Sequence, residues 1–174
     1  AGAALTLDGP VLRQTGGTIN VGTAVRVAGG SLTGNGLGFF DISDGTFTIE
    51  NSFLNVEAGN VTAGGDLFTI VEDLPFSLGG SLLAHRGGSV TADNIVDVQS
   101  VFNPTGDAPI LDVSELDGIN NPTTLTATDS LLVLGAGAAL TLDGPVLRQT
   151  GGTINVGTAV RVAGGSLTGN GLGF

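Results

Sequence analysis

The side chains that could carry out catalysis are few in this sequence. His85 is the only histidine, cysteine is absent, and all five basic residues are arginines. A catalytic triad would have to use His85 with a serine such as Ser89 and a carboxylate such as Asp93. One histidine also cannot supply a histidine-based zinc site. We therefore expect no enzyme activity, and we expect His85 to lie at a solvated corner before Gly87-Gly88.

Carboxylates form two groups along the chain, and paired carboxylates can cleave glycosides or bind calcium. The groups are Asp66, Glu72 and Asp73, and Asp112, Glu115 and Asp117. A polysaccharide-cleaving groove would also need several basic or aromatic residues, which are scarce here. The calcium-binding Gly-Gly-x-Gly-x-Asp pattern is present only as the fragment 64–66. We expect solvated turn residues and no cofactor, with Asp66, Glu72 and Asp73 as the calcium candidates.

Two other short patterns have a known chemistry. The glycine-rich run 34–38 is followed by no helix, and the chain has no lysine to contact a phosphate. Thr46/Thr48 and Thr124/Thr126 resemble the threonine pairs of ice-binding solenoids. Because such pairs do not recur at every step of the sequence, we interpret them as β-forming residues with a hydrated hydroxyl.

The composition excludes several classes of partner. The formal net charge is -11, from 16 carboxylates spread along 174 residues. This charge repels nucleic acids and anionic lipids, so neither is an expected partner. No apolar run reaches the roughly 18 residues that a membrane-spanning helix needs.

A long internal repeat sets the organisation of the chain. The segment 1–39 recurs without a change at 136–174, so the repeat unit is the segment 1–135. We expect one continuous domain over 1–174, with one full repeat unit at 1–135 and the start of the next identical unit at 136–174.

A shorter repeat predicts the architecture. An apolar residue followed by Thr, Asn or Ser recurs at a nearly constant step, as at Leu5, Ile19, Leu32 and Phe47, and glycine-rich turns lie between these positions. At twice this step the segments 30–34, 59–63 and 88–92 align without a gap. Short strands with one recipe at even spacing are typical of a parallel β-solenoid, in which equivalent residues stack in columns.

We therefore predict an all-β fold, a parallel β-solenoid. The coils would contain about 27–29 residues each, which gives about five coils per repeat unit. The alternative is a flatter solenoid with coils of about 15 residues.

The regular pattern lapses between residues 100 and 121. We interpret this segment as an irregular insertion that loops outward and could contact a partner. The candidate partner-binding residues are Asn103, Pro104, Asp107, Asp117, Asn120 and Asn121.

The runs GGTINVGTAVRVAGGSLTGNG and SFLNVEAGNVTAGG resemble the repeat regions of filamentous-haemagglutinin-like and autotransporter passenger proteins. The resemblance implies a right-handed parallel β-helix on the bacterial surface, used in adhesion, biofilm formation or cell-surface architecture. It transfers no catalytic residue.

From these patterns we expect a structural or adhesive fibre segment, outside the cell or on its surface, whose partners are neighbouring copies stacked end to end. The alternative is an adhesin module that recognises a glycan or a protein through residues 100–121. A tandem β-sandwich is the competing fold.

Overall fold

The computed structural model describes residues 2–35, 38–73, 75–115 and 121–170. Within these ranges the chain is all-β and contains no helix. The strands are β1 (Ala4–Leu7), β2 (Leu12–Ala28), β3 (Ser31–Gly34), β4 (Phe40–Glu57), β5 (Gly59–Ala63), β6 (Phe68–Ile70), β7 (Phe76–Leu78), β8 (Leu83–His85), β9 (Gly88–Val98), β10 (Val101–Phe102), β11 (Leu111–Val113), β12 (Thr123–Leu134), β13 (Ala139–Leu142), β14 (Leu147–Gln149), β15 (Thr153–Val162) and β16 (Ser166–Gly169).

All pairings between these strands are parallel, and they stack as a β-solenoid of about five turns. Four positions recur in each coil, which we call ladders A, B, C and D in chain order. Long strands such as β4 and β9 pass through more than one ladder. Each ladder contains a column of apolar register partners from successive coils. Ladder A contains Leu5, Leu32, Val61, Val90, Leu125 and Ile154, and ladder B contains Leu12, Phe40, Phe68, Val96, Leu132 and Val160. Ladder C contains Ile19, Phe47 and Phe76, and ladder D contains Val25, Leu54, Leu83, Leu111 and Leu147.

The register gives the length of a coil directly. In ladder A, partners such as Leu5 and Leu32, or Leu32 and Val61, differ by 27 or 29 in sequence number, as do the side chains that bond across the same coils. Val90 and Leu125 differ by more, because the coil between them is longer. The longer of the two predicted coils is therefore confirmed, and the shorter alternative is wrong.

The segment that breaks the pattern is mostly part of the fourth coil. Phe102, Ile110, Leu111 and Val113 are buried, and the stretch from Val98 to Leu111 is as long as the equivalent one from Ile70 to Leu83 in the coil before. The additional residues of this coil lie between Val113 and Thr123.

The interior is a column of stacked apolar side chains, widened by phenylalanines in the middle coils. Phe40 stacks on Phe68 with ring centroids 4.9 Å apart, and Phe47 stacks on Phe76 at the same distance. Each pair consists of register partners in adjacent coils, so the parallel ladder brings equivalent rings face to face.

The two identical segments lie at different places in the coil. Leu5 belongs to ladder A, whereas its counterpart Leu140 lies in β13, which pairs with β10 and β16. These three strands occupy the C position, since β10 and β13 each lie between a B strand and the next D strand along the chain, and β16 follows a B strand and pairs with β13. One repeat unit therefore advances the chain by four and a half coils.

Candidate functional site

A groove runs beside ladders A and B and is lined mainly by carboxylates and amides; we call it the acidic groove. Its volume is about 490 Å³, and its lining is Gly38, Asp41, Gly65, Asp66, Thr69, Asp93, Asn94, Gln99 and Asp129. The lining residues come from successive coils because the corner between ladders A and B recurs in each turn.

Asp66 is the most constrained carboxylate in the acidic groove. Its Oδ1 accepts hydrogen bonds from the Asn94 backbone N–H at 3.1 Å and from Asn94 Nδ2 at 2.8 Å. Burial raises the pKa of Asp66, and the nearby charges of Asp97 and Asp93 act in the same direction, while the Asn94 hydrogen bonds oppose them. Asp66 and Asn94 lie in adjacent coils, so this contact fastens one coil to the next.

Asp93 makes a similar bridge, since Thr128 in the following coil donates a hydrogen bond to its Oδ1 at 2.8 Å. At the far end of the groove, the Arg161 guanidinium lies 3.4 Å from Asp129. The groove is therefore lined by carboxylates that are partly occupied in contacts between coils.

The calcium candidates occupy two different places. Asp66 lines the acidic groove, whereas Glu72 and Asp73 are exposed residues in the connection after β6. Over the described ranges, no three His, Asp or Glu side chains are grouped so that they could hold a metal ion. The calcium assignment stays a prediction.

A second groove, also of about 490 Å³, lies beside ladder D; we call it the arginine groove. Its lining is Glu50, Asn51, Ser52, Gly79, Gly80, Ser81, Arg86, Asp107, Ala108, Pro109, Asp112 and Arg148. Arg148 holds the buried Asp112 with two hydrogen bonds, from Nε at 3.1 Å and from a terminal nitrogen at 2.6 Å. Arg86 lies 4.0 Å from the same carboxylate. The arrangement can bind a polar ligand along a mixed-charge surface.

The predicted partner-binding residues are dispersed. Asn103 and Asp107 are exposed, Pro104 is buried and Asn121 is half-buried. Asp107 lines the arginine groove, while Asn103 lines a smaller cavity of about 150 Å³ beside ladder C. Asp117 and Asn120 lie outside the described residues.

The expectation that His85 lies at a solvated corner is wrong. His85 ends β8 with its side chain fully buried, because residues 83 and 85 of this strand both point inward. Its Nε2 lies 3.1 Å from the carbonyl oxygen of Gly88, so Nε2 carries the proton and donates it to that oxygen. Burial lowers the pKa of His85 to about 4. The imidazole is therefore a neutral core residue, and it opens into neither groove.

The structure also contains a regular surface feature that reasoning from the sequence missed. On the outer face of ladder A, five threonines are register partners in consecutive coils, and we call them the threonine rank: Thr6, Thr33, Thr62, Thr91 and Thr126. The expectation about threonine pairs did not consider single threonines, which do recur from coil to coil on this face, whereas Thr124 has Ser89 as its partner in the coil before. The signal for this rank is the gap-free alignment of 30–34, 59–63 and 88–92, which contains Thr33, Thr62 and Thr91 at equivalent positions.

Both ends of the solenoid present open strand edges. Among the described strands, β1 pairs with β3 alone and β15 pairs with β12 alone. Apolar side chains are exposed there, with Leu5 at 53%, Val160 at 39% and Val162 at 50%. Unpaired parallel edges of this kind are surfaces for a further coil.

Comparisons with known proteins give no relative on which to base a function. No protein-family model, no curated protein and no solved structure matches the chain. The described residues include no helix with the length and apolar composition needed to cross a membrane. The parallel β-solenoid fold is shown by the strand pairings of the structure.

Proposed function

We propose that this chain is a segment of an extracellular or cell-surface fibre, in which identical repeat units follow one another as a continuous rod with a structural or adhesive role. The resemblance to filamentous-haemagglutinin-like and autotransporter passenger repeats supports a bacterial surface location. We propose a fibre rather than an enzyme, since Asp66 and Asp93 of the acidic groove and Asp112 of the arginine groove are engaged in contacts between coils.

The observation that carries this proposal is the boundary between the two units. Strands of the second copy pair in parallel with strands of the first, with Leu111 opposite Leu147, Leu125 opposite Ile154 and Leu132 opposite Val160. The stack passes through the boundary without a linker, so each added unit can lengthen the same rod.

The experiment that tests it is a length series. Chains with one, two and four repeat units, each followed by the segment 136–174, would be measured by small-angle X-ray scattering and electron microscopy. At about 4.8 Å per coil, each unit should add about 22 Å to the long dimension and nothing to the cross-section. Growth in all dimensions, or a string of separate beads, would refute the continuous rod. Antibody labelling of intact cells that express the natural protein would test the surface location.

A second candidate function is recognition of a glycan or a protein by the segment 100–121. It is favoured by the position of Asp107, Ala108 and Pro109 in the wall of the arginine groove, beside Arg86 and Asn51. Deleting the segment would remove buried residues, so the sharper test is Asp107→Ala, with the exposed Asp73→Ala as matched control. Binding to a panel of immobilised oligosaccharides should fall for Asp107→Ala alone. Equal binding by both variants would remove this role for Asp107.

A further inference from the structure

The same amino-acid sequence occupies two different sides of this solenoid. Each of four equivalent pairs is shifted by two ladders, which is half a coil: Leu5 in A and Leu140 at the C position, Leu12 in B and Leu147 in D, Ile19 in C and Ile154 in A, Val25 in D and Val160 in B. The shift is uniform along the segment, so it is a property of the unit rather than of one strand.

The cause is the number of strands in a unit. Four coils carry ladder A from Ala4 to Thr124, and half a coil more brings the chain to Ala139, where the repeat begins again. A coil consists of two halves that each contain two strands, and the segment 4–28 forms its strands in either phase. Inward-facing leucines are suited to both, since Leu5 is the partner of Leu32 in ladder A while Leu140 lies between Phe102 and Leu167.

We infer that successive repeat units in the fibre are rotated by half a coil, so that neighbouring units present the same surface on opposite sides of the rod. This inference deepens the proposed function and rests on it, because it requires that the units form one continuous stack. Its structural basis is the boundary seen in this chain, which would recur with identical residues between all units.

The inference also assigns the interaction surface between units. The end of one unit offers the outer edges of β10, β11 and β12, and residues 139–162, identical to 4–27, cover them. The occupant of this surface is the first coil of the next unit. The open edge of β1 and β2 is the complementary surface, because in the second copy the same sequence is already covered by a preceding unit.

The consequence for a fibre is alternating display. The threonine rank and both grooves of one unit would face one way, those of the next unit the other way, and those of every second unit the same way again. Two units contain nine whole coils, so identical surfaces on one side would recur about every 43 Å.

Pairs of spin labels can test the rotation, because the chain contains no cysteine of its own. In a chain of two full units followed by the segment 136–174, Thr62→Cys in both units gives the first pair. Thr62→Cys in the first unit with Ser77→Cys in the second gives the matched control pair. Both side chains are exposed, Thr62 in ladder A and Ser77 in ladder C.

With a half-coil rotation, the Thr62 pair lies across the rod and the mixed pair lies along one side. Facing sheets about 10 Å apart, with side chains that extend about 5 Å outward on each face, put labels on opposite sides about 20 Å apart. With axial offsets of about 22 Å for the Thr62 pair and about 24 Å for the mixed pair, we expect label distances of about 30 Å and about 24 Å. The reverse order would overturn the inference. Thr91→Cys, from the same rank, repeats the measurement should Thr62→Cys fold poorly.

A length measurement on the same labelled chains separates the two proposals. A rod that lengthens by about 22 Å per unit but shows the reverse order of distances would contradict only the rotation. Labelled chains that do not lengthen as rods would contradict the proposed function itself.

Discussion

Leu5 and Leu140 allow the stacking argument to be tested with one substitution made twice. The two residues lie in identical sequences, yet Leu5 is 53% exposed at the end of the stack and Leu140 is 1% exposed between two coils. Local sequence and strand propensity are the same for both, so a difference in the effect of Leu→Ala reports the position in the stack.

The expected magnitudes follow from burial. Leu140→Ala removes a fully enclosed side chain and leaves a cavity, which costs about 3 kcal/mol in the free energy of unfolding. Leu5→Ala removes a side chain that is already half in water, and no closed cavity forms, so the loss is about 1 kcal/mol. The first coil can also open by itself, which reduces the effect of Leu5→Ala on global unfolding further.

The assay is equilibrium unfolding in urea followed by circular dichroism. A reciprocal pair removes any bias between the two copies: Leu32 is buried in the first copy, whereas its counterpart Leu167 is only half-buried in the second. We expect Leu32→Ala to lower the midpoint more than Leu167→Ala. The first copy is then the more sensitive one in this pair, whereas the second copy is the more sensitive one for Leu5 and Leu140. Equal losses within each pair, or the same copy being more sensitive in both, would refute the stacking argument.

Two further predictions concern charge. In the folded protein, burial lowers the pKa of His85 from its ordinary value of 6.5 to about 4, so the unfolded chain binds the proton more readily. The stabilising contribution of the neutral His85 should therefore be fully present above pH 6.5, and the free energy of unfolding should fall by about 3 kcal/mol as the pH drops towards 4. The free energy of unfolding of wild type relative to His85→Leu should therefore decrease as the pH falls across this range. A difference that is independent of pH would contradict the prediction. Arg148→Ala should lower stability by about 1 to 2 kcal/mol because it leaves the buried Asp112 without its two hydrogen bonds. Arg13 is the counterpart of Arg148 in the first copy and contacts the more exposed Asp41 at 3.1 Å, so Arg13→Ala should lower the free energy of unfolding by less than about 0.5 kcal/mol. Similar urea midpoints for the two variants would contradict this reasoning.

Much of the fold could be predicted from the sequence because the short sequence repeat corresponds to the stacking of one coil on the next. Alignment of residues 30–34, 59–63 and 88–92 without a gap anticipated the partners of ladder A, where Leu32, Val61 and Val90 follow one another. In a parallel stack each residue lies over its equivalent, so sequence offset and structural register are the same quantity.

The burial of His85 follows from the same rule, although the Gly87-Gly88 turn after it favours a solvated corner. In ladder D it is the partner of Val56 and of Val113, both buried. An imidazole in a column of valines is tolerated because the Gly88 carbonyl oxygen accepts a hydrogen bond from its Nε2–H and burial keeps the ring neutral. Position in the ladder therefore outweighs residue type in deciding which side chains face inward.

The half-coil shift could not be derived from the sequence in the same way. It depends on the number of strands in the irregular segment from residue 100 onwards, which the sequence pattern alone leaves open. Only the register of Leu111 with Leu83 and Leu147 shows that this segment supplies the second half of the fourth coil, its C and D strands. One half-coil more or fewer in that segment would have returned the repeat to the same side of the rod.

A unit with an odd number of half-coils imposes a particular demand on its own sequence. Residues 4–28 must form strands over β10 to β12 of a preceding unit, and they must also support β3 and β4 of their own unit. The segment therefore contacts one set of side chains in the preceding unit and another set in its own unit. Its inward side chains must pack against leucine and phenylalanine alike. Leucine, isoleucine and valine meet this requirement, since a core tolerates exchanges between aliphatic side chains of similar volume best. The described phenylalanines lie between residues 39 and 102. There Phe40 has Leu12 as its register partner in one adjacent coil and Phe68 in the other, so one ring packs against an aliphatic side chain as well as against another ring.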